Sequence, residues 1–237
     1  KKELDYLKEN GFDVSKIYIS GKAHIINDEH IENDKKYYTN DQGSTGTGIA
    51  PCAKDKFARK GSQIKDYKDF PYNIWNSSVS PLYGNILCEG AQGFWLDINH
   101  GEYPYVTSST TLPYSACSLG FSHKLIRNIY GAAKVYDTRV GIDPFFQHSS
   151  SEQYRETFDY IAKIGEEYGT TTKRLRKVEW LNLDKLIDAI NISGTNIIIL
   201  SKLDILEKVN KYAYIFNNIY NVCNSKDEFI NGINTII

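Results

Sequence analysis

Several stretches of this sequence combine glycine with hydroxyl, amide or guanidinium side chains in ways that suit anion and nucleotide chemistry. In Gly43-Ser44-Thr45-Gly46-Thr47-Gly48-Ile49-Ala50-Pro51 the glycines stand close together. Their backbone N–H groups can approach a phosphate, and the hydroxyls add donors. Asp55, Lys56, Arg59 and Lys60 follow on an expected helix. No GK[ST] closes the loop, so it is not a Walker A element; composition alone leaves a phosphate cradle and a structural turn both open. In Glu89-Gly90-Ala91-Gln92-Gly93, the Gln92 amide offers a donor and an acceptor, enough to read a base edge; a solvated loop glutamine is the plainer reading. Leu96-Asp97-Ile98 and Tyr103-Pro104-Tyr105-Val106-Thr107-Ser108-Ser109 follow it. In Gly169-Thr170-Thr171-Thr172-Lys173-Arg174-Leu175-Arg176-Lys177, alternate arginines beside a threonine run suit bidentate capture of a carboxylate or phosphate, or form a basic exposed loop.

The elements that must position these groups alternate between helix and strand. Lys1 to Asn10 has helical spacing with a stop at Gly11, and Lys16 to Ser20 alternates as a strand. Asn33 to Lys60 reads as a polar, glycine-rich functional loop. Gly84 to Cys88 reads as a short strand that would set Gln92 at the carboxyl end of a sheet, where open α/β folds bind ligands. A brief helix is expected at Ser122 to Asn128 and a strand from Asn128 to Val140. Helices follow at Glu152 to Glu167 and at Leu183 to Ile192, the latter capped by Asn182 and released near Gly194. Ile197 to Leu200 is a continuous apolar run, as in a central parallel strand, and Tyr212 to Phe216 alternates as another. The expected fold class is α/β: a mixed, mostly parallel sheet flanked by helices, in one domain over 1–237. Leu200-Ser201-Lys202-Leu203-Asp204 closes the apolar run with a Lys-x-Asp, similar to the guanine reader of GTP-binding proteins. A carboxylate there accepts from the ring N–H and exocyclic amine of guanine, and the lysine stem can lie along the base.

Composition narrows the classes. The 237 residues carry a formal charge of −1, against a basic nucleic-acid surface. No apolar run is long enough for a membrane span, and no signal-peptide pattern opens the chain, so a cytoplasmic protein is expected. Cys52, Cys88, Cys117 and Cys223 are scattered, as reduced thiols would be, and no ligand pairs sit at zinc spacing. The sequence has no methionine and begins with lysine, as a processed product or a fragment would.

The order of the blocks is more specific than any one of them. G-S-T-G-T-G-I-A-P with D-K-F-A-R-K-G, then E-G-A-Q-G with L-D-I-N-H-G-E-Y-P-Y-V-T-S-S, Y-D-T-R-V-G, E-Y-G-T-T-T-K-R-L-R-K-V-E-W-L and S-K-L-D-I-L together resemble the adenylosuccinate synthetase family, from about Ile17 to Leu206. The resemblance is to the family's middle and C-terminal part, and implies a P-loop NTPase-like ligase fold.

The resemblance implies a carbon–nitrogen ligase of purine biosynthesis acting with Mg²⁺ as a homodimer. GTP phosphorylates the 6-oxygen of IMP, and the amine of L-aspartate then displaces phosphate. Carried over motif by motif, Thr45 and Arg59 would meet the substrate nucleotide's phosphate, Arg59 from a partner subunit. Gln92 and Thr107 would touch IMP, and Val140 would lie beside its ribose. Thr171, Thr172, Arg174 and Arg176 would hold aspartate, with Arg174 also near the ribose, and Lys202 with Asp204 would read guanine. The family's G-D-E-G-K-G-K segment and the histidine after it, which carry the catalytic and metal contacts, are not found here, so no catalytic or metal residue is assigned. Thr47 stands where the family commonly has arginine, Lys173 where it has glycine, and Thr110-Thr111-Leu112-Pro113 replaces S-N-T-T-A-G-G. Two alternatives stay open: a phage or archaeal-type relative joining aspartate to dGMP, some members using ATP, and a non-catalytic nucleotide-binding fragment.

Overall fold

A computed structural model describes residues 1–39, 43–76, 83–141, 153–170 and 173–237. It resolves into two compact units, Lys1–Ile86 and Leu87–Ile237.

In the first unit, helix α1 (Lys2–Glu9) buries Leu4 and ends before Gly11, whose φ of +81° suits a residue without a Cβ. Strands β1 (Tyr18–Ser20) and β2 (Asn73–Trp75) pair in parallel. Helices α2 (Asp28–Tyr37) and α3 (Ile49–Phe57) flank the glycine-rich stretch, so the expected loop over 33–60 is mostly helical at both ends. Asp55 and Lys56 lie on α3, whereas Arg59 and Lys60 lie beyond it.

Residues 83–93 hold no strand. Gly84 to Cys88 is irregular, contrary to the sequence expectation, and Leu87 is 86% exposed. A strand needs a neighbour to satisfy its backbone groups, and no described strand pairs with this run. Short 3₁₀ turns follow at Phe94–Leu96, Pro113–Leu119 and His123–Leu125. The expected strand over 128–140 is split at Val135 into β3 (Tyr130–Lys134) and β4 (Tyr136–Arg139), which join different sheets. Helix α4 is Arg155–Ile164, and β5 (Lys177–Asn182) runs into α5 (Leu183–Ser193). Strand β6 (Ile197–Ser201) leads to α6 (Leu203–Val209), then β7 (Tyr212–Phe216), β8 (Ile219–Cys223) and α7 (Lys226–Ile236).

Strands β4-β5-β7-β8 form one sheet in that order, and β3 pairs with β6 in another. The β1·β2, β3·β6 and β5·β7 pairs are parallel, while β4·β5 and β7·β8 are antiparallel, which makes the architecture α/β with parallel segments flanked by helices. The core lies on the four-stranded sheet. Trp180 meets Phe158 edge-on at a centroid distance of 5.2 Å and Tyr154 at 5.5 Å, with Ile161, Leu206, Phe229 and Ile233 packed around them. Such aromatic pairs add to what area burial alone contributes. Asn182 caps α5 by accepting from the Lys185 N–H at 3.0 Å, and Gly194 ends it at φ +71°, both as expected. β6 differs from expectation in burial. Among the described strands it pairs with β3 alone, and Ile199 remains 52% exposed. No helix among the described residues is long and apolar enough to cross a membrane.

Candidate nucleotide-binding site

The glycine loop of the first unit is held from beneath by Asp34. This fully buried carboxylate accepts from the Ser44 hydroxyl at 2.5 Å and from the Gly48 N–H at 2.6 Å. Gly48 has φ +87°, and a Cβ there would come within 2.7 Å of Ile26 Cγ2, so the chain needs glycine at this closing position. The preceding helix is fixed in turn. Asn27 accepts from the His30 N–H at 2.9 Å, and His30 Nδ1 accepts from the Asn27 N–H at 3.1 Å. That bond places the ring proton on Nε2, which donates to Asp55 on α3 at 3.1 Å. Above this frame Thr45 is exposed, its hydroxyl 2.9 Å from that of Thr47. Arg59 is exposed just past α3.

In the second unit Asp97 plays the part of Asp34. Its Oδ1 accepts from the N–H groups of Asn99 at 2.8 Å and His100 at 3.2 Å. Its Oδ2 accepts from the Thr111 N–H at 2.7 Å and the Thr110 hydroxyl at 2.9 Å. Burial pushes this carboxyl upward, but these hydrogen bonds outweigh it and hold the group below the usual carboxylate range. Thr107, half-buried, donates its N–H to the Leu96 carbonyl at 2.8 Å. Arg139 donates to the Tyr105 carbonyl, which brings the end of β4, with Val140 next to it, against the Thr107 segment. Gln92 is exposed with φ +72° and follows no strand, so its expected seat at a sheet's carboxyl end is not found.

The basic stretch is a narrow hairpin. Tyr168 bridges Leu175, Gly169 donates its N–H to the Arg174 carbonyl at 2.8 Å, and Arg176 donates its N–H to the Glu167 carbonyl at 2.9 Å. Arg174 is exposed and Arg176 half-buried. Thr171 and Thr172 lie outside the described residues. Glu167, 3% exposed, sits at the hairpin's base and receives the Lys134 ammonium at 2.6 Å and the Tyr136 hydroxyl at 2.8 Å. Burial pulls the Lys134 ammonium below its ordinary value despite Glu167, and Arg176 and Lys202 push the same way. The Tyr136 phenol is pushed up, first by burial and then by its bond to Glu167.

Lys202 and Asp204 follow β6 as expected. Lys202 caps α6 at φ +68° and donates its ammonium to the Gly165 carbonyl at 2.9 Å. Asp204 is exposed in the first turn of α6, with Lys208 at 4.0 Å. The second unit thus brings Lys202 and Arg176 to the Gly165–Glu167 turn, and Val140 to the Thr107 segment. Asp34, Asp97 and Glu167 were not singled out from sequence as site residues. Asp97-Ile98-Asn99-His100-Gly101 does carry a signal, since an aspartate can cap the N–H two residues on. Among the described residues, no three His, Cys, Asp or Glu side chains gather as a metal cage.

The protein-family model of adenylosuccinate synthetase matches residues 1–81 and 79–217. An adenylosuccinate synthetase of Malacoplasma penetrans (strain HF-2) is 34% identical over 260 residues, covering 88% of this chain and 60% of its own length. That of Mesoplasma florum is 33% identical over 272 residues, covering 91% and 62%. The solved structure of fully ligated adenylosuccinate synthetase from Plasmodium falciparum is similar at a TM-score of 0.73 and 25% identity, over 90% of this chain and 62% of that one. A cyanophage S-2L succinoaminodeoxyadenylate synthetase, bound to dGMP and dATP as an energy donor, shares the fold at a TM-score of 0.66 and 19% identity, over 98% and 75%. The chain spans about 60% of the length of the curated relatives it matches.

Proposed function

Because the chain belongs to the adenylosuccinate synthetase family, we propose that it serves a ligase joining L-aspartate to the 6-position of IMP at the expense of GTP. The γ-phosphoryl group passes to the 6-oxygen, giving GDP and a 6-phosphoryl nucleotide. The aspartate amine then attacks C6, and phosphate leaves with the oxygen, giving adenylosuccinate. Activation turns a poor leaving group into a good one, and the protein's share is to position the reactants and stabilise the developing charge. Mg²⁺, when bound with the nucleotide phosphates, would neutralise part of their charge.

In this reading the Gly43–Gly48 loop with Thr45 holds the IMP phosphate, and Arg59 reaches the same phosphate from a partner copy in a homodimer. Gln92 and Thr107 contact IMP, and Val140 borders the ribose. Thr171, Thr172, Arg174 and Arg176 take the aspartate carboxylates, with Arg174 also near the ribose. Lys202 and Asp204 read the guanine of the donor.

The observation that carries the reading is the geometry after β6. The Lys202 ammonium is anchored on the Gly165 carbonyl at 2.9 Å, and in this reading its stem covers a base plane. The Asp204 carboxylate is exposed beside it, 4.0 Å from the Lys208 ammonium. A carboxylate accepts twice from guanine but faces a lone pair on the adenine ring nitrogen. That mismatch costs on the order of a few kcal/mol, hence a preference of about tenfold or more for GTP.

The test is a substrate matrix on the complete gene product: IMP or dGMP as acceptor, GTP or ATP as donor, with chromatographic detection of the succinylated nucleotide. IMP with GTP should give the fastest turnover, and Asp204→Asn should lower GTP use while raising XTP use. Faster reaction of dGMP with ATP would replace this reading with the dGMP-using one, which the departures at Thr47 and Thr110-Thr111-Leu112-Pro113 leave open. No product from any pair would sink the ligase reading.

A further inference from the structure

Glu167 is a buried carboxylate of the second unit that none of the roles above employs. It is 3% exposed, yet two cationic side chains reach it and a third lies nearby. Lys134 donates to its Oε2 at 2.6 Å, and Arg176 Nε lies 3.7 Å from the same oxygen. Lys202 is close enough to depress the Lys134 ammonium, and its own ammonium sits on the carbonyl of Gly165, two residues before Glu167. Oε1 is taken by the Tyr136 hydroxyl at 2.8 Å.

The backbone around Glu167 is equally committed. Its N–H donates to the Ala162 carbonyl at 2.9 Å, tying it to the last turn of α4, and its own carbonyl accepts the Arg176 N–H at 2.9 Å. Glu166 stands at φ +53° to make the reversal. A Cβ on Gly165 would meet the Tyr136 hydroxyl at 2.7 Å, so the Tyr136–Glu167 bond and the Lys202 anchor are built against one another.

A buried ion pair is a poor way to gain stability, because desolvation offsets most of the Coulombic attraction. What it does well is fix register. Resting on the ligase reading above, we propose that Glu167 is a positioning residue that locks the donor-reading Lys202 turn and the Arg174–Arg176 segment into one frame, so that phosphoryl donor and aspartate are aligned together. Without the carboxylate, the Lys134 ammonium keeps only the Thr138 hydroxyl at 3.0 Å among these acceptors, the hairpin loses its side-chain link to β3 and β4, and the Tyr136 hydroxyl packed against Gly165 loses its acceptor beside the Lys202 anchor.

The test is Glu167→Gln in the complete gene product, with each substrate varied in turn. Gln keeps the shape and one acceptor for Tyr136, but presents an amide that cannot both satisfy Tyr136 and receive Lys134. KM for aspartate and for the nucleotide donor should each rise about tenfold or more, with KM for IMP within about twofold. Tyr136→Phe, which removes one bond at nearly constant volume, should move the same two constants by a few-fold. A loss confined to kcat or to active fraction, or an equal rise in all three KM values, overturns the proposal in favour of a folding role. A second measurement needs no turnover: in Glu167→Gln, amide hydrogen exchange should quicken together at Gly169, Arg176 and Ile205, whose N–H groups bond within the hairpin and to the Lys202 carbonyl. Faster exchange in the hairpin alone breaks the proposed coupling. Wild-type protein inactive with every nucleotide pair would refute the ligase reading, and the exchange result would still decide whether Glu167 joins the two segments.

Discussion

Asp97→Asn isolates the physics of the loop that carries Thr107. The carboxylate uses both oxygens, Oδ1 for the Asn99 and His100 N–H groups and Oδ2 for the Thr111 N–H and the Thr110 hydroxyl. Asparagine has one oxygen. If it stays with Asn99 and His100, its NH₂ faces the Thr111 N–H, donor against donor, at a site with no exposure. The Thr110 hydroxyl can rotate and accept from the new amide, so that bond survives. One buried N–H is orphaned, at about 1–3 kcal/mol, and the remaining bonds lose their charge assistance, for a total of about 2–4 kcal/mol. Urea unfolding should show the midpoint falling at unchanged m, and amide exchange should accelerate first at Thr111 and Asn99. The pH dependence has a definite sign. Asp97 titrates below the usual carboxylate range when folded. Its contribution is therefore present above the ordinary carboxylate value and lost as pH falls through the folded value. The gap between wild type and variant should be full at neutral pH and shrink in acid. A destabilisation under about 0.5 kcal/mol, or a gap that widens on acidification, would refute the assignment of Asp97 as the loop's acceptor hub.

At Asp34, Asn can keep its oxygen on the Gly48 N–H and turn its amide to the Ser44 oxygen, so Asp34→Asn should cost under about 1 kcal/mol, whereas Asp34→Ala orphans the Gly48 N–H and should cost about 2–4 kcal/mol. Thermal unfolding of both variants checks the ordering, and equal losses would contradict it. Among the 18 tyrosines, Tyr72, Tyr136 and Tyr214 should ionise late in an ultraviolet absorbance titration. Tyr72 is pushed up to about 12, first by its bond to Asp5, so Tyr72→Phe should remove a step near there; stability linked to this phenol is full below the ordinary tyrosine value and lost as pH rises toward 12. An unchanged late phase in Tyr72→Phe would show that the Asp5 bond does not form in solution.

What could be read in the sequence was whatever depends on neighbours along the chain. Asn182 and Gly194 bounded α5 because a cap acts within one turn. The apolar faces of α1 and α4 announced themselves by helical spacing, with Leu4, Phe158 and Ile161 all buried. Two runs misled for the same reason, the first in being no strand and the second, a parallel strand as expected, only in its burial. Gly84 to Cys88 and Ile197 to Leu200 are apolar enough for a strand, but apolarity records what a segment could bury and says nothing about which partner covers it. The first has no partner strand among the described residues, and the second has one, which leaves Ile199 half-exposed. The break at Val135 is a third case. A run rich in Ile, Tyr and Val shows no seam where the chain leaves one sheet for another, because both halves have strand-forming composition.

The site divides along the same line. Thr45, Gln92, Arg174 and Lys202 stood out because glycines, hydroxyls or charges cluster around them in sequence. The groups that set their geometry do not cluster. Asp34 lies 14 residues from the Gly48 N–H it receives, Glu167 lies 33 from Lys134, and Lys202 reaches a carbonyl 37 residues away. Each is an ordinary acidic or basic residue until the fold closes around it. Only then does burial make its hydrogen bonds costly to lose. A motif such as Lys-x-Asp therefore states what a strand end can recognise. Whether recognition is sharp depends on how firmly the lysine's anchor is held, and here that firmness comes from a carboxylate on another loop. The two properties are separable in principle: substitution at Asp204 should change which base is preferred, whereas substitution at Glu167 should weaken every donor alike and leave the ranking intact. A Glu167 variant that reordered GTP and ATP would mean that the hub itself touches the base, and the division between reading and holding would have to be redrawn.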